Sequence, residues 1–139
     1  MPLEEKILKE YRTVAIVGAS SDPGRPSFRV VRYLAGHGYN VIPVNPNERE
    51  ILGMVCYPNL SSIPGKVEVV DIFRKSEAVM PVVEEAIKIG AKAIWMQEGV
   101  INEEAAARAR EAGLLVVMDK CMRKQHISLM RRRKKEKGG

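Results

Sequence analysis

The chain has 139 residues, 45% hydrophobic and 29% charged, with a formal net charge of +6; that is enough for one domain with a full core and too short for two of ordinary size. Residues 131–137 hold six of the 23 basic residues and one of the 17 acidic ones, so the remainder carries 17 basic against 16 acidic. This places the excess charge in a C-terminal tail, 129–139, without the interleaved aromatic residues of a single-strand nucleic-acid binder; it reads as a solvated, frayed tail, and a nucleic-acid partner is not expected.

No apolar run approaches the roughly 18 residues of a membrane helix, and the charged start, Met1 to Lys6, is unlike a secretory signal. A cytoplasmic protein is expected, with no membrane association. Cys56 and Cys121 stand far apart, with no other cysteine and no paired histidine nearby. Neither a disulfide scaffold nor a metal site is indicated, and both read as reduced thiols.

In chain order, Leu3, Ile7, Leu8 and Tyr11 fall at helical spacing among charges, which predicts a short amphipathic helix within residues 1–12 that acts as a lid or a brace. The domain proper is assigned to 13–128. Val14 to Val17 is an apolar, β-branched run suited to a strand covered on both faces. A loop rich in glycine, serine and proline follows, Gly18 to Ser27. Phe28, Val31, Leu34 and Ala35 then mark a helix that stops at Gly36-His37-Gly38. Asn40 to Val44 is the second strand, and Pro43 within it argues for an edge or a bulge.

Residues 45–66 show little periodicity and read as a connection with one short helical turn around Leu60. Val67 to Phe73 is a third strand. Val79, Val82, Val83, Ala86 and Ile87 make a helical stripe that ends at Gly90; Ser76 as its cap and Pro81 as its first residue are both open. Ala91 to Met96 is a fourth strand. Asn102 caps a helix with Ala105, Ala109 and Ala112 inward, and Leu114 to Met118 is a fifth strand. Five strands alternating with helices predict an α/β fold, a Rossmann-like doubly wound parallel sheet in a single domain, in the order 3-2-1-4-5.

In such a sheet the ligand crevice lies beyond the carboxyl ends of the strands, where the crossovers diverge. The first loop is there. Gly18-Ala-Ser-Ser21 lets a ligand approach the backbone and offers amides and the hydroxyls of Ser20 and Ser21, while the next helix adds its positive dipole end and Arg25 a full charge, a set suited to a pyrophosphate. The alternative is a plain turn whose serines satisfy their own backbone, but such turns usually have about two to six residues.

The loop is not a Walker motif, and no lysine occurs between Lys9 and Lys66, which argues against a nucleotide triphosphatase. Nor is it Gly-x-Gly-x-x-Gly, since Ser20 and Pro23 hold the second and third positions. After the second strand a nicotinamide protein presents an acid to the ribose; here the chain reads Val44-Asn45-Pro46-Asn47, a neutral corner that favours a phosphorylated ribose. Ile72, Phe73 and Arg74 offer an apolar wall and a guanidinium, although Phe73 serves equally as core packing. Gln97 offers an amide. Adenine between Val44-Pro46 and Ile72-Phe73, with phosphates on the serine loop and on Arg25 or Arg74, makes a coherent site.

Five blocks, Val17-Gly-Ala-Ser-x-x-Pro-x-Arg-Pro-Ser27, Val41-Ile-Pro-Val-Asn-Pro46, Val69-Val-Asp-Ile-Phe-Arg-Lys-Ser-Glu77, Ala93-Ile-Trp-Met-Gln-Glu-Gly-Val100 and Val116-Val-Met-Asp-Lys-Cys121, resemble the single-domain CoA-binding protein family. That family is similar to the CoA-binding domain of the succinyl-CoA synthetase α subunit. The resemblance implies coenzyme A or acyl-CoA as ligand and contacts from Gly18, Ser20, Ser21, Arg25, Ser27, Val44, Asn45, Pro46, Ile72, Phe73, Arg74 and Gln97. It also places Cys121 toward the pantetheine end, where a mixed disulfide and inert packing are the two alternatives.

The synthetase's phosphorylated histidine belongs to a second domain, and neither His37 nor His126 matches its motif. The reading is therefore CoA binding without catalysis, with no catalytic residue and no metal. Its rivals are an NAD(P)-dependent oxidoreductase and the CoA-binding subunit of an acyl-CoA synthetase; a homo-oligomer or a synthetase-type partner subunit is compatible with either form of CoA binding.

Overall fold

A computed structural model describes residues 1–138. Its elements in chain order are α1 (Leu3–Glu10), β1 (Thr13–Val17), α2 (Pro26–Ala35), β2 (Asn40–Val44), β3 (Glu50–Ile51), β4 (Met54–Val55), β5 (Val69–Ile72), α3 (Val79–Lys88), β6 (Ala93–Met96), α4 (Glu103–Glu111), β7 (Leu115–Val117) and α5 (Met122–Gly138). Single 3₁₀ turns lie at Leu60–Ser62 and Ser76–Ala78. The expected parallel sheet of five strands is present, with helices on both faces.

The order of those strands is β2-β1-β5-β6-β7. The expected order set the third strand beyond the second; the chain instead carries it to the other side of β1, pairing Val14 with Val69 and Val17 with Ile72. Pro43 supplies the physical reason. A residue without an N–H is poorly placed inside a sheet, and as the outer strand β2 needs only one full neighbour. Its free edge is covered locally by Tyr57, whose N–H donates to the Pro43 carbonyl at 3.0 Å and whose carbonyl accepts from Asn45 N–H at 2.9 Å. The 45–66 connection therefore holds more than the expected single turn: β3 and β4 form a small antiparallel hairpin within it.

The central strands β1, β5 and β6 are buried on both faces and almost wholly apolar, Asp71 of β5 being the buried exception. On one side Ile7, Leu8, Phe28, Val31, Leu34, Met122 and Leu129 bring α1, α2 and α5 onto Ile16, Val69 and Trp95. On the other, Val79, Val83, Ala86, Ala105, Ala106 and Ala109 bring α3 and α4 onto Ala15, Val70, Ile72 and Ile94. The expected inward Ala112 is exposed at the end of α4, and Ala106 takes its place; Ala35 is likewise exposed at the end of α2. The N-terminal helix is a brace, packed on α5, with Glu4 holding Lys120 at 3.0 Å.

The C-terminal segment departs most from expectation. Residues 122–138 form one helix, so a boundary at 129 falls inside it, and Leu129 is buried at 2% exposure. Met122, His126 and Leu129 recur at spacings of four and three, which is what docks the helix. Only the stretch from Arg131 onward is exposed throughout.

Candidate functional site

Beyond the carboxyl ends of β1 and β5 lies a cleft of about 620 Å³. It sits where the crossover from β1 leaves on one side of the sheet and that from β5 on the other, the switch point at which doubly wound sheets open. Gly18, Ser20, Arg25, Ser27 and Asn45 line one wall; Phe73, Arg74 and Gln97 line the other. Eight of the thirteen residues singled out from sequence thus meet in one cavity.

The glycine wall is held by its own backbone. Gly18 has φ +89°, and the N–H groups of Gly18 and Ala19 both donate to the Val44 carbonyl, at 2.9 and 3.3 Å. Asn45 Nδ2 donates to the Ala19 carbonyl at 2.7 Å while its Oδ1 accepts from Asn47 N–H at 2.9 Å. Both ends of that amide are spent on the loop, so Asn45 shapes the wall. Ser20 Oγ accepts from Asp22 N–H at 3.0 Å and keeps its own hydrogen for another partner.

Pro26 occupies the first turn of α2, and Arg25, in extended conformation before it, makes no side-chain cap. The leading N–H groups of that helix therefore lack a side-chain acceptor at the cleft, as an anion-binding helix end requires. Across the gap Arg74 Nε and Gln97 Oε1 are buried without a hydrogen-bond partner, and Gln97 is 5% exposed. Leaving such groups unpaired costs about 1–3 kcal/mol each, so one donor and one acceptor beneath this wall of the cleft stand without partners.

The remaining five residues do not line the cleft. Val44 and Ile72 are 2% and 0% exposed, with side chains in the core under α3 and α4, because the alternation along β2 and β5 turns them to that face. Neither side chain is turned into the cleft. Pro46 is exposed beyond the corner. Ser21 donates its hydroxyl to Glu48 Oε1 at 2.9 Å. Cys121 packs at 6% exposure into the opposite core layer, beyond a turn at Asp119 with φ +60°. Cys56 is buried as well; burial pushes its thiol up, against a weak contact to the Asn45 carbonyl.

Sequence reasoning passed over Pro26, Lys75, Glu98 and Val100, which also line the cavity. Lys75 and Glu98 directly follow recognised residues, and their place at strand ends was the available signal. It also passed over Glu48, the acid that directly follows the neutral corner. Ser76, weighed as a helix cap, instead receives Ile101 N–H at 3.0 Å on its hydroxyl and Asn102 Nδ2 at 2.9 Å on its carbonyl. Asp119 Oδ1 accepts from Gly99 N–H at 2.7 Å. The loops after β5, β6 and β7 are thereby joined into one rim.

The chain is 38% identical over 122 residues to the uncharacterised protein YneT of Bacillus subtilis, covering 88% of this chain and 90% of that one. It is 34% identical over 95 residues to the ADP-forming acetate–CoA ligase II of Archaeoglobus fulgidus, covering 67% of this chain but only 14% of the ligase. A hypothetical protein from Pyrococcus horikoshii superposes with a TM-score of 0.89 at 47% identity, over 91% of this chain and 89% of that one. The model of the CoA binding domain matches residues 12–127. With that match running from the residue before β1 into α5, the chain belongs to the CoA-binding domain family and is homologous to the CoA-binding part of ADP-forming acetate–CoA ligase.

Proposed function

We propose that the cleft holds coenzyme A or an acyl-CoA, and that the chain binds this ligand without transforming it. The observation that carries the reading is the pairing of an uncapped α2 N-terminus with a buried, unpartnered Arg74 Nε across one cavity. A pyrophosphate accepts from both. The ligand's phosphates lie along Gly18 to Ser27, Phe73 offers its half-buried ring to the adenine, and Gln97 Oε1 accepts from an amide or amino N–H of the ligand. No histidine or cysteine is among the residues that line the cavity, which supports a binding role over a covalent one.

Calorimetry with CoA, dephospho-CoA and NAD tests the assignment. CoA is expected to bind best, with loss of the 3′-phosphate or the Arg74→Ala change each weakening binding by about 1–3 kcal/mol. Equal affinity for NAD would refute it. Glu48 sharpens that comparison: its Oε1 accepts from the Ser21 hydroxyl at 2.9 Å while its Oε2 is buried without a partner, so the NAD arm also tests whether this acid serves a ribose.

A second reading is favoured by the similarity to the acetate–CoA ligase, of which the chain spans 14%. In it the same cleft delivers CoA to chemistry carried by a partner subunit. Acyl-CoA formation from acid, CoA and nucleotide only after a partner is added would establish it.

A further inference from the structure

The opposite end of the molecule holds a second concavity, of about 230 Å³, where α1, α2 and α5 meet the residues that lead into β1 and β2. Leu8, Leu129 and Met130 give it an apolar floor. Arg12, Arg133 and Lys9 line it with both histidines of the chain, and no carboxylate is among its lining residues.

Arg12, Tyr39 and His126 are held in place by hydrogen bonds and ring contacts. Arg12 Nη1 donates to the carbonyls of Leu8 at 2.8 Å and Tyr11 at 3.3 Å, and its guanidinium lies 5.1 Å over the Tyr39 ring. Tyr39 Oη donates to the same Leu8 carbonyl at 2.7 Å. His126, 6% exposed, sets Nδ1 2.7 Å from Tyr33 Oη and stands edge-on to Tyr33, His37 and Tyr39. The neighbouring carboxylates are committed elsewhere. Glu5 faces Lys9 at 3.9 Å and Arg132 at 3.6 Å, and Glu68 accepts from the backbone N–H groups of Arg12 and Thr13. Among the described residues neither the Arg12 nor the Arg133 guanidinium has an ion-pair partner.

This cavity has Arg12 and Arg133 exposed at its rim, and no carboxylate among its lining residues offsets their charge. We propose that it is a binding site for a small oxyanion, a phosphate or a carboxylate, held between Arg12 and Arg133 with the His126 imidazole beside it. Planar guanidinium donors suit either oxyanion, and the volume is below the roughly 300 Å³ at which pockets for larger ligands begin. The apolar floor accepts the short chain of a carboxylic acid as readily as it excludes water.

Proton coupling follows from the geometry. Burial, then the charges of His37, Arg12 and Arg133, holds His126 below the usual histidine range. A bound anion opposes the cationic part of that shift and favours a proton on the ring, so affinity rises as pH falls through the titration of His126.

The chain has two histidines, so ring NMR of the full-length protein gives two imidazole signals, assigned with His37→Gln. Inorganic phosphate and butyrate are titrated separately at constant ionic strength in chloride. Saturable movement of the His126 signal is expected, with its protonation midpoint raised at saturation, and the arm that saturates identifies the oxyanion. Arg133→Gln, at an exposed position on α5, is expected to weaken binding about tenfold, whereas Arg110→Gln, on the far face, leaves it unchanged. Drift that never saturates with either anion, or saturation indifferent to Arg133→Gln, overturns the proposal.

Discussion

Gly18 has no room for a methyl group. A Cβ built there would lie 2.2 Å from the Phe73 carbonyl oxygen, and the backbone is already at φ +89°. Steric exclusion and conformational strain act together, so Gly18→Ala is expected to lower stability by roughly 2–4 kcal/mol in urea denaturation and to open the seam between β1 and β5 on which the cleft depends. Asp71 is a residue of another kind. It is fully buried between its strand partners Ile16 and Trp95, and neither carboxylate oxygen has a hydrogen-bond partner. Burial pushes its carboxyl well above the usual range, and the nearby Ile72 N–H, outside hydrogen-bond geometry, offsets part of this. Because the folded protein holds the proton more tightly than the unfolded chain, stability falls as pH rises from about 4 toward the raised folded value. Asp71→Asn removes that linkage: the variant is expected to gain on the wild type as pH rises from 4 to 7, measured as the difference in unfolding midpoint. A constant offset across that range would contradict an uncharged Asp71.

Among the elements, α5 is the sharpest test of how the chain reads. Its basic run draws attention to charge, while the periodicity that docks it, Met122, His126 and Leu129, lies before that run and includes a histidine that seldom counts as apolar. In urea denaturation, truncating Leu129 to Ala is expected to cost about 2–4 kcal/mol of stability, whereas deleting the residues from 131 onward should change it by no more than about 0.5 kcal/mol. Equal losses would mean that the exposed end stabilises the fold. The β2 strand teaches the complementary lesson. Pro43 marked an edge, but the assumed order buried that strand, and the local signal was the better guide. Strand existence was legible because β-branched runs between turn residues have few alternatives. Strand order was not, since it depends on which side of β1 a crossover returns, and periodicity within a strand does not encode that. The site divides in the same way: Gly18, Arg74 and Gln97 are visible because they come just after strands and Arg25 because it precedes α2, whereas the side chains of Val44 and Ile72 turn to the core by one step of the pleat, a distinction of facing and not of position.

At the scale of the molecule, the proposed CoA site and the proposed oxyanion site occupy opposite ends of one parallel sheet, with the net positive charge concentrated beside the second. Ligand binding at the cleft is linked to folding: CoA at a hundredfold excess over its Kd is expected to stabilise the protein by about 2.7 kcal/mol, a rise of roughly 8 °C in Tm, with no comparable rise from NAD. The two rims of that cleft are fastened independently, one to β2 through Asn45 and one across β5, β6 and β7 through Ser76 and Asp119. Among the described residues no side-chain hydrogen bond spans from one rim to the other. A coenzyme lying across them would be the strap of a two-leaved book, and the slowing of amide exchange on its arrival should reach both leaves at once, even where the ligand touches only one page.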